Sequence, residues 1–360
     1  MSIIGNIGGQ SGGGSLTKSI LIVTAPTGST VTVTKGSTTK TAMEKNGEWW
    51  FKNLENGEWT IRAELDGQSA TEVINITQFG VYRKPISYRM TPEFTYTGDY
   101  EIVQDDDTPI EDFASWKGNW KIRFLTSGDF KITKMHGFSG EIDVFLVGGG
   151  GSGSCGAWSG GGYDGRGGGG GGYTTTANAV SVPPAPTTYQ IVVGAGGTGA
   201  TVNTPSGNAG GESNAFDVTA AGGAGGGNYV GGAGGSGGGA GAYERGKAAG
   251  AGGSDGSNGG SSHQSNGGAG QGTTTREFGE SNGRLYAGGG GGGHEVGTIA
   301  GAGGKGGGGA GGVSKDPGSA GTANTGGGSG GTAYYNTSGA HSQPGGSGIV
   351  IIRNAREVAQ

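Results

Sequence analysis

The sequence predicts an all-β protein, in which N-terminal β modules are followed by a glycine-rich lattice of packed polyglycine II helices, with essentially no α-helix. Glycine accounts for 93 of the 360 residues, against a usual share of about 7%, and 76 of these glycines lie between Gly148 and Gly348. Residues 1–147 have an ordinary composition and short alternating apolar runs, which are typical of strands. Two apolar segments, EIDVFLV and SGIVIIR, bracket the glycine-rich part, which predicts that its start and end meet in one sheet.

Residues 16–78 are predicted to form a small β-sandwich after a Gly/Ser-rich arm at 1–15. About six short strands fit this stretch, and NGEWWF and NGEWTIRAEL both begin with Asn-Gly. Asn-Gly is a strong hairpin signal, because both central residues of a type I′ turn need a positive φ. We interpret Trp49, Trp50 and Trp59 as packing residues, with sugar stacking as the alternative.

Residues 79–91 are predicted to be an extended connector, since Pro85 disfavours a helix. Residues 92–148 are predicted to form a β subdomain that leads into the glycine-rich part, with strands at EFTYT, WKIRFL, DFKIT and EIDVFLV. The acidic run Asp105, Asp106 and Asp107 is either a solvated loop or a site for a hard cation, and the sequence leaves both open.

Residues 149–346 fit a packed lattice better than three other structures. A flexible linker is poor in features, whereas this part contains strand-like islands at TYQIVVG and SNAFDVTAAGG. Collagen needs glycine at every third position and abundant proline, and neither is present. Gly194, Gly196 and Gly199 match a phosphate-binding spacing, but the ATVNTPSGNAGG that follows cannot form the helix such a site needs.

In the predicted lattice, glycine backbones in extended threefold helices approach closely and hydrogen-bond sideways to several neighbours. We expect the runs at 167–172, 288–293 and 303–309 to be rods, meaning single extended glycine helices. The chain from 148 to 346 would supply on the order of ten rods. Residues 347–360 are expected to be a closing strand and a tail.

Composition excludes several classes of function. The net charge of −5 argues against nucleic acid as a partner, and the single cysteine, Cys155, is expected to be a free thiol in a loop. The first residues lack the features of a signal peptide and no apolar run approaches a membrane span, so we expect synthesis in a cytoplasm and no membrane insertion. Four scattered histidines and no legible catalytic motif predict no metal site, no cofactor and no enzymatic activity.

Several stretches carry a resemblance to a known family. They are IDVFLVGGGGSGS, GGGGGGYTTT, YQIVVGAGGTG, GGESNAF, GQGTTTREFGESNGRLYAGGGGGG and GGSGIVIIR, within residues 120–354. They resemble the glycine-rich domains of tail proteins from phages and prophages of Gram-positive bacteria, and the layout is similar to the polyglycine II sandwich of bacteriophage tail-fibre and tail-tip adhesins. The resemblance implies host recognition by a virion component, which needs no signal peptide because lysis releases it.

Side chains that recognise a receptor are expected in the loops between rods, because glycine helices present little chemistry of their own. Aromatic and charged residues flanked by small ones are typical of adaptable binding surfaces. The candidates of this kind are Trp158, Tyr163, Asp164, Arg166, Tyr229, Tyr243, Glu244, Arg245, His263, His294, Tyr334 and Tyr335. For each, the alternative is capping of a rod or packing against the lattice. Consecutive loops are expected at opposite ends, and Phe216, Phe278 and Tyr286 are predicted to be structural.

The sequence therefore predicts a phage tail receptor-binding protein, located in the virion. Its partners would be a host cell-surface glycan or protein, other tail proteins bound through the N-terminal β modules, and copies of itself in a trimer or higher homo-oligomer. Two alternatives stay open. One is a structural tail or tail-tip protein with the glycine-rich domain as a rigid spacer, and the other is a bacterial surface or matrix protein.

Overall fold

A computed structural model describes residues 18–65, 68–86, 91–135, 140–156, 165–183, 185–241, 248–252, 257–260, 275–294, 300–313, 316–333 and 341–355. The chain folds into two units. Unit 1 comprises residues 1–93, 111–118 and 134–139, and unit 2 comprises residues 94–110, 119–133 and 140–360. Each unit is described below by itself.

Unit 1 contains a β-sandwich of two four-stranded sheets. One sheet has the order β4-β5-β1-β8 and the other has the order β3-β2-β6-β7. The strands are β1 Ser19–Thr24, β2 Thr30–Lys35, β3 Thr38–Thr41, β4 Glu44–Lys45, β5 Glu48–Leu54, β6 Gly57–Leu65, β7 Gln68–Ile76 and β8 Val81–Pro85. The predicted connector thus contributes a strand of the sandwich, since β8 pairs in parallel with β1.

Alternating side chains build the core of the sandwich. Trp49, Phe51, Trp59 and Ile61 are all buried inside it. Trp49 and Phe51 are two residues apart on β5, and Trp59 and Ile61 are two residues apart on β6, so each pair points to the inner face. Trp50 points the other way and is 43% exposed. Core packing is therefore confirmed for Trp49 and Trp59, whereas Trp50 is not a core residue, and its packing at an interface or stacking on a sugar stays a prediction.

The two Asn-Gly pairs behave differently. Asn46 and Gly47 have φ of 53° and 72° and join β4 to β5 in a hairpin, as predicted. Gly57 opens β6, which pairs with β2 and β7 and not with the preceding β5. The hairpin expected there is wrong, because the chain crosses from one sheet to the other at this point.

Unit 2 contains a five-stranded sheet, a three-stranded sheet and a short hairpin. The sheets have the orders β10-β11-β18-β13-β14 and β15-β12-β9, and β16 pairs with β17. The strands are β9 Glu93–Tyr96, β10 Tyr100–Val103, β11 Lys121–Phe124, β12 Gly128–Lys134, β13 Glu141–Val147, β14 Thr174–Ser181, β15 Thr187–Ile191, β16 Ser213–Ala215, β17 Val218–Ala220 and β18 Ile349–Asn354. Strands β13 and β18 pair antiparallel over six residues, which confirms that the glycine-rich part starts and ends in one sheet.

The two faces of the five-stranded sheet pack differently. One face packs through aromatic rings: the Phe130 ring of β12 lies 5.1 Å from that of Phe124 and 6.3 Å from that of Phe216. The other face is covered by residues 275–286, where Phe278 and Tyr286 pack on Phe145. Phe216, Phe278 and Tyr286 are all buried, as predicted for structural residues.

The described residues confirm the predicted fold class. The only helix among them is a single 3-10 turn, Glu277–Gly279, and the remainder consists of strands, turns and extended glycine-rich backbone. None of the described helical residues belongs to a segment long and apolar enough to cross a membrane.

Candidate functional site

The glycine-rich backbone of unit 2 has a threefold repeat. We name residues 148–156 rod A, which continues β13, and residues 165–173 rod B, which leads into β14. Every third N–H group of rod A donates to the same neighbour. The bonds to rod B are Gly148 to Tyr173, Gly151 to Gly170 and Ser154 to Gly167, and those to residues 205–212 are Gly149 to Gly211, Ser152 to Asn208 and Cys155 to Pro205, all at 2.8–2.9 Å. A repeat of three residues is the geometry of the polyglycine II helix.

Each central rod has six neighbours. Rod A donates to rod B and to residues 205–212 and 341–348, and it accepts N–H groups from residues 192–200, 221–227 and 326–333. Rod B is likewise surrounded: besides rod A, it bonds to residues 221–227, 231–235, 236–241, 287–294 and 326–333. Six neighbours around each rod make a hexagonal lattice. We call this assembly of rods the glycine lattice.

Close approach of the backbones explains why the lattice requires glycine. A Cβ atom on Gly150 would lie 2.1 Å from the carbonyl oxygen of Gly327, and one on Gly149 would lie 2.0 Å from that of Ala195. Carbon and oxygen need more than about 3 Å between them, so a side chain at either position would push the rods apart. The lattice thus obtains its density from backbone contacts in place of interlocking side chains.

Buried serines replace some of the backbone acceptors of the lattice. Ser342 Oγ accepts the N–H of Ala200 at 2.8 Å and donates to the carbonyl of Gly153 at 2.6 Å. Ser329 Oγ accepts the N–H of Gly153 at 2.8 Å. Both side chains are fully buried. Sequence reasoning missed these serines, although a serine inside a glycine run was the signal available.

Two features of the glycine-rich part differ from expectation. Cys155 lies in rod A and not in a loop, and burial raises the pKa of its thiol. Residues 303–309 are not a rod, because the chain turns at Lys305 and both Gly306 and Gly307 have positive φ, of 92° and 97°. The expected rod at 303–309 is therefore wrong, because this stretch contains a turn between two shorter extended segments.

The lattice has two distinct ends. At the sheet end, rods A and B join β13 and β14, and the last rod, residues 341–348, joins β18. At the opposite end, which we call the far end, contacts connect one rod terminus to the next. These are Cys155 to Pro205, Gly156 to Thr332, Arg166 to Gly293 and Thr332, His294 to Gly312, Ala333 to Asp316, Gly241 to Tyr229 and Ala240 to Gly260.

Residues that flank three of the candidate-bearing segments lie at the far end. The described residues on either side of segments 157–164, 242–247 and 334–340 lie there, as do Tyr229 and His294. Of the described turns, those at 304–307 and 322–326 lie at the sheet end and carry none of the candidates. The alternation of loops between the two ends stays a prediction for the segments outside the described residues.

Arg166 is a packing residue of the far end. Only 2% of it is exposed, and its guanidinium donates to the side-chain oxygen of Asn228 and lies 5.1 Å from the ring centroid of Tyr229. The expectation of a receptor-contacting Arg166 is wrong, because its side chain is enclosed. Its cation–π contact instead holds Tyr229, which remains half-exposed beside the exposed Val230.

His294 ends a rod at the far end. Its backbone N–H donates to Gly312 at 2.8 Å, and it forms a parallel bridge with Val313. Its side chain is half-buried, and its Nδ1 atom has no hydrogen-bond partner among the described residues. The remaining candidates lie outside the described residues: Trp158, Tyr163, Asp164, Tyr243, Glu244, Arg245, His263, Tyr334 and Tyr335.

The acidic run near the sheet end is committed to internal contacts. Asp107 pairs with Lys121 at 2.8 Å and with Arg123, and both cations also reach the buried Glu277. Asp106 accepts the N–H of Thr108 at 3.0 Å. Among the described residues, no group of three acidic, histidine or cysteine side chains could hold a metal ion.

A comparison with known families agrees with this architecture. The threefold rods and the closing sheet define a glycine-lattice domain. A family model described as a glycine-rich domain matches residues 126–355, from two residues before β12 to one residue after β18. This match covers more than half of the chain, and the chain belongs to that family. No protein with a curated description matches the chain.

Proposed function

We propose that this chain is a bacteriophage tail receptor-binding protein that recognises its host through the far end of the glycine lattice. The observation that carries the proposal is that the described residues flanking segments 157–164, 242–247 and 334–340 lie at that one end, together with Tyr229 and His294. At the opposite end, rods A and B and residues 341–348 run into the five-stranded sheet, and the described turns at 304–307 and 322–326 carry none of the candidates.

The lattice suits this role because it is a rigid support. Backbone hydrogen bonds on all sides fix each central rod, so the rod ends that flank the candidate-bearing segments are ordered before a partner binds. A rod of nine residues spans roughly 28 Å at about 3.1 Å per residue. The tyrosine-containing loops match the chemistry of surfaces that bind glycans or proteins.

The wider parts of the proposal follow the resemblance to phage tail proteins. The chain would be part of the virion, made in the host cytoplasm and released by lysis. The N-terminal β modules would dock to other tail proteins, and the chain would assemble as a trimer or higher homo-oligomer. It would act by binding, without catalysis, cofactor, nucleic acid or membrane insertion.

Two tyrosines of unit 2 offer a matched test. Tyr229 lies at the far end, and Tyr173 is 38% exposed at the sheet end. We expect Tyr229→Ala to slow adsorption of virions to the host about tenfold, and Tyr173→Ala to leave adsorption unchanged. Replacing segments 157–164 and 242–247 with Gly/Ser linkers of equal length should abolish adsorption while virions still assemble.

The second candidate function is a rigid tail spacer without a receptor, which the dense backbone bonding of the lattice also favours. The same experiment separates the two. Virions that assemble and adsorb normally after both segment replacements would exclude the receptor-binding role and favour the spacer.

A further inference from the structure

Trp50 forms the centre of an open cleft on the outer face of the sandwich in unit 1. The cleft has a volume of about 620 Å³ and is lined by residues of β4, β5 and the segment before them, including Met43, Lys45, Trp50 and Lys52. Trp50 is 43% exposed and Met43 is 91% exposed. This volume lies within the range of small-molecule sites, about 300–1,000 Å³.

The indole ring is held in place before any ligand arrives. Its Nε1–H donates to Glu48 Oε2 at 2.9 Å, and Glu48 Oε1 accepts from Arg83 at 2.6 Å. The hydrogen bond from Arg83, and then that from Trp50, lowers the pKa of Glu48, which keeps the carboxylate ionised as an acceptor. A ring fixed in this way loses little freedom when a ligand stacks on it.

Two lysines of the cleft present ammonium groups with no ion-pair partner among the described residues, whereas its two carboxylates keep their charge and are held by hydrogen bonds. Glu44 accepts the N–H groups of Gly28 at 3.0 Å and Gly47 at 3.3 Å, and Glu48 is bonded to Arg83 and Trp50, so both carboxylates are committed. Lys45 and Lys52 are exposed, and neither forms an ion pair with any described residue. They lie on the same face as Trp50, because Lys52 is two residues further along β5 and Lys45 pairs with Glu48.

We propose that this cleft binds an acidic saccharide, with a sugar ring stacked on Trp50 and its carboxylate or phosphate group bound by Lys45 and Lys52. A sugar ring has an apolar C–H face and a polar rim, and the cleft presents an indole surrounded by polar groups. A protein partner would need several buried apolar anchors, and a single-stranded nucleic acid would need a longer basic groove with several rings. This site lies in unit 1 and stands whether or not the far end binds a receptor.

The test measures binding of defined oligosaccharides to the full-length chain by saturation-transfer NMR and calorimetry. The acidic probes are a hyaluronan hexasaccharide for carboxylate and phosphomannan oligosaccharides for phosphate, and the neutral probe is chitohexaose. We expect at least one acidic probe to bind about tenfold more tightly than the neutral one and to weaken as salt is added. The acidic probe that binds identifies the anionic group.

Variants locate the site. Trp50→Ala should abolish binding and Trp50→Tyr should retain it, while Lys45→Ser with Lys52→Ser should reduce acidic probes to the affinity of the neutral one. The controls are Phe79→Ala, an exposed aromatic of the same unit that does not line the cleft, and Lys131→Ser, an exposed lysine of β12. Thermal unfolding checks that each variant is folded.

Several results would overturn the proposal. These are no binding of any acidic saccharide, equal affinity for acidic and neutral probes, unchanged binding by folded Trp50→Ala, or binding of an oligothymidylate in place of the saccharides. None of them bears on the role of the far end, which the virion adsorption experiment tests separately.

Discussion

The β-sandwich of unit 1 and the glycine lattice of unit 2 satisfy their backbones by different means. In the sandwich, strands pair within each sheet, and side chains such as Trp59 and Ile61 fill the space between the sheets. In the lattice, a rod bonds to as many as six neighbours, and almost no side chain lies between them. Stability in the sandwich therefore depends on the burial of apolar side chains, and in the lattice on the absence of side chains.

This difference changes which kind of substitution destabilises each unit. Removing atoms from the core of a sandwich leaves a cavity, whereas adding one carbon to a lattice rod creates a clash with a carbonyl oxygen. Glycine also loses more conformational freedom on folding than any other residue, so the lattice depends on nearly all of its N–H groups finding partners. Four substitutions, in decreasing order of expected effect, test this account.

The largest effect is expected from a methyl group inside the lattice. In Gly150→Ala, the new carbon would lie 2.1 Å from the Gly327 oxygen, with no flexible side chain to move aside. We expect a loss of more than about 4 kcal/mol in the free energy of unfolding, measured by denaturant unfolding. The control is Gly227→Ala, where the nearest atom would be 3.6 Å away. Similar stability of the two variants would contradict the close-packed lattice.

The next largest loss of stability is expected from removing a large side chain from the sandwich core. Trp59 is 2% exposed and its indole N–H donates to the carbonyl of Glu55 at 2.9 Å. Trp59→Ala should cost about 3–5 kcal/mol by creating a cavity. Trp50→Ala, on the outer face, should change stability by no more than about 0.5 kcal/mol. Urea unfolding followed by near-UV circular dichroism would measure the free energy of unfolding of both variants. An equal loss in Trp59→Ala and Trp50→Ala would mean that the inner face is not the core.

An intermediate effect is expected from the buried serines of the lattice. Ser342→Ala removes the acceptor of the Ala200 N–H and the donor to the Gly153 carbonyl, leaving both buried without a partner. Such a change costs about 1–3 kcal/mol. Ser181→Ala, on the exposed edge strand β14, serves as the control. Hydrogen exchange should show faster exchange at Ala200 in the Ser342 variant alone, and unchanged protection there would argue against the serine's role.

The smallest effect is a pH dependence from Asp107. Partial burial raises the pKa of Asp107, but the hydrogen bond from Lys121 and the charge of Arg123 outweigh it, so the pKa lies below its usual value. A lowered pKa stabilises the fold above the unfolded value, and this stability is lost as the pH falls below about 4. The melting temperatures of the wild type and Asp107→Asn should therefore differ at neutral pH and converge as the pH falls below the lowered pKa of Asp107. A constant difference would exclude this ion pair as the cause.

Several features could be read from the sequence because they depend on local rules. The Asn46–Gly47 hairpin follows from the positive φ that both residues accept, and the pairing of β13 with β18 follows from two apolar strands on either side of the glycine runs. The strand β8 could not be predicted in this way. Its parallel partner β1 lies about 60 residues away, and a pattern inside residues 79–91 contains no sign of such a partner.

The candidate site shows the same division. The sequence identified which loops carry aromatic and charged side chains, but it placed Arg166 among the exposed ones. Arg166 is enclosed because rods from distant parts of the chain meet around it: its backbone bonds to Gly293 and Thr332, and its side chain bonds to Asn228. No local pattern can show how many rods surround one residue.

By itself, the sequence determined the chemical character of each half of the chain: apolar alternation for paired strands, and glycine for backbones in contact. Only the tertiary structure decided which rods are neighbours, which serines replace backbone acceptors and at which end Arg166 and Tyr229 lie. The physical reason is that glycine runs are nearly identical to one another, so their own sequence does not specify a partner. Side chains such as Ser342 and Arg166 distinguish one rod from another, because each bonds to a particular neighbour, Gly153 and Asn228 respectively.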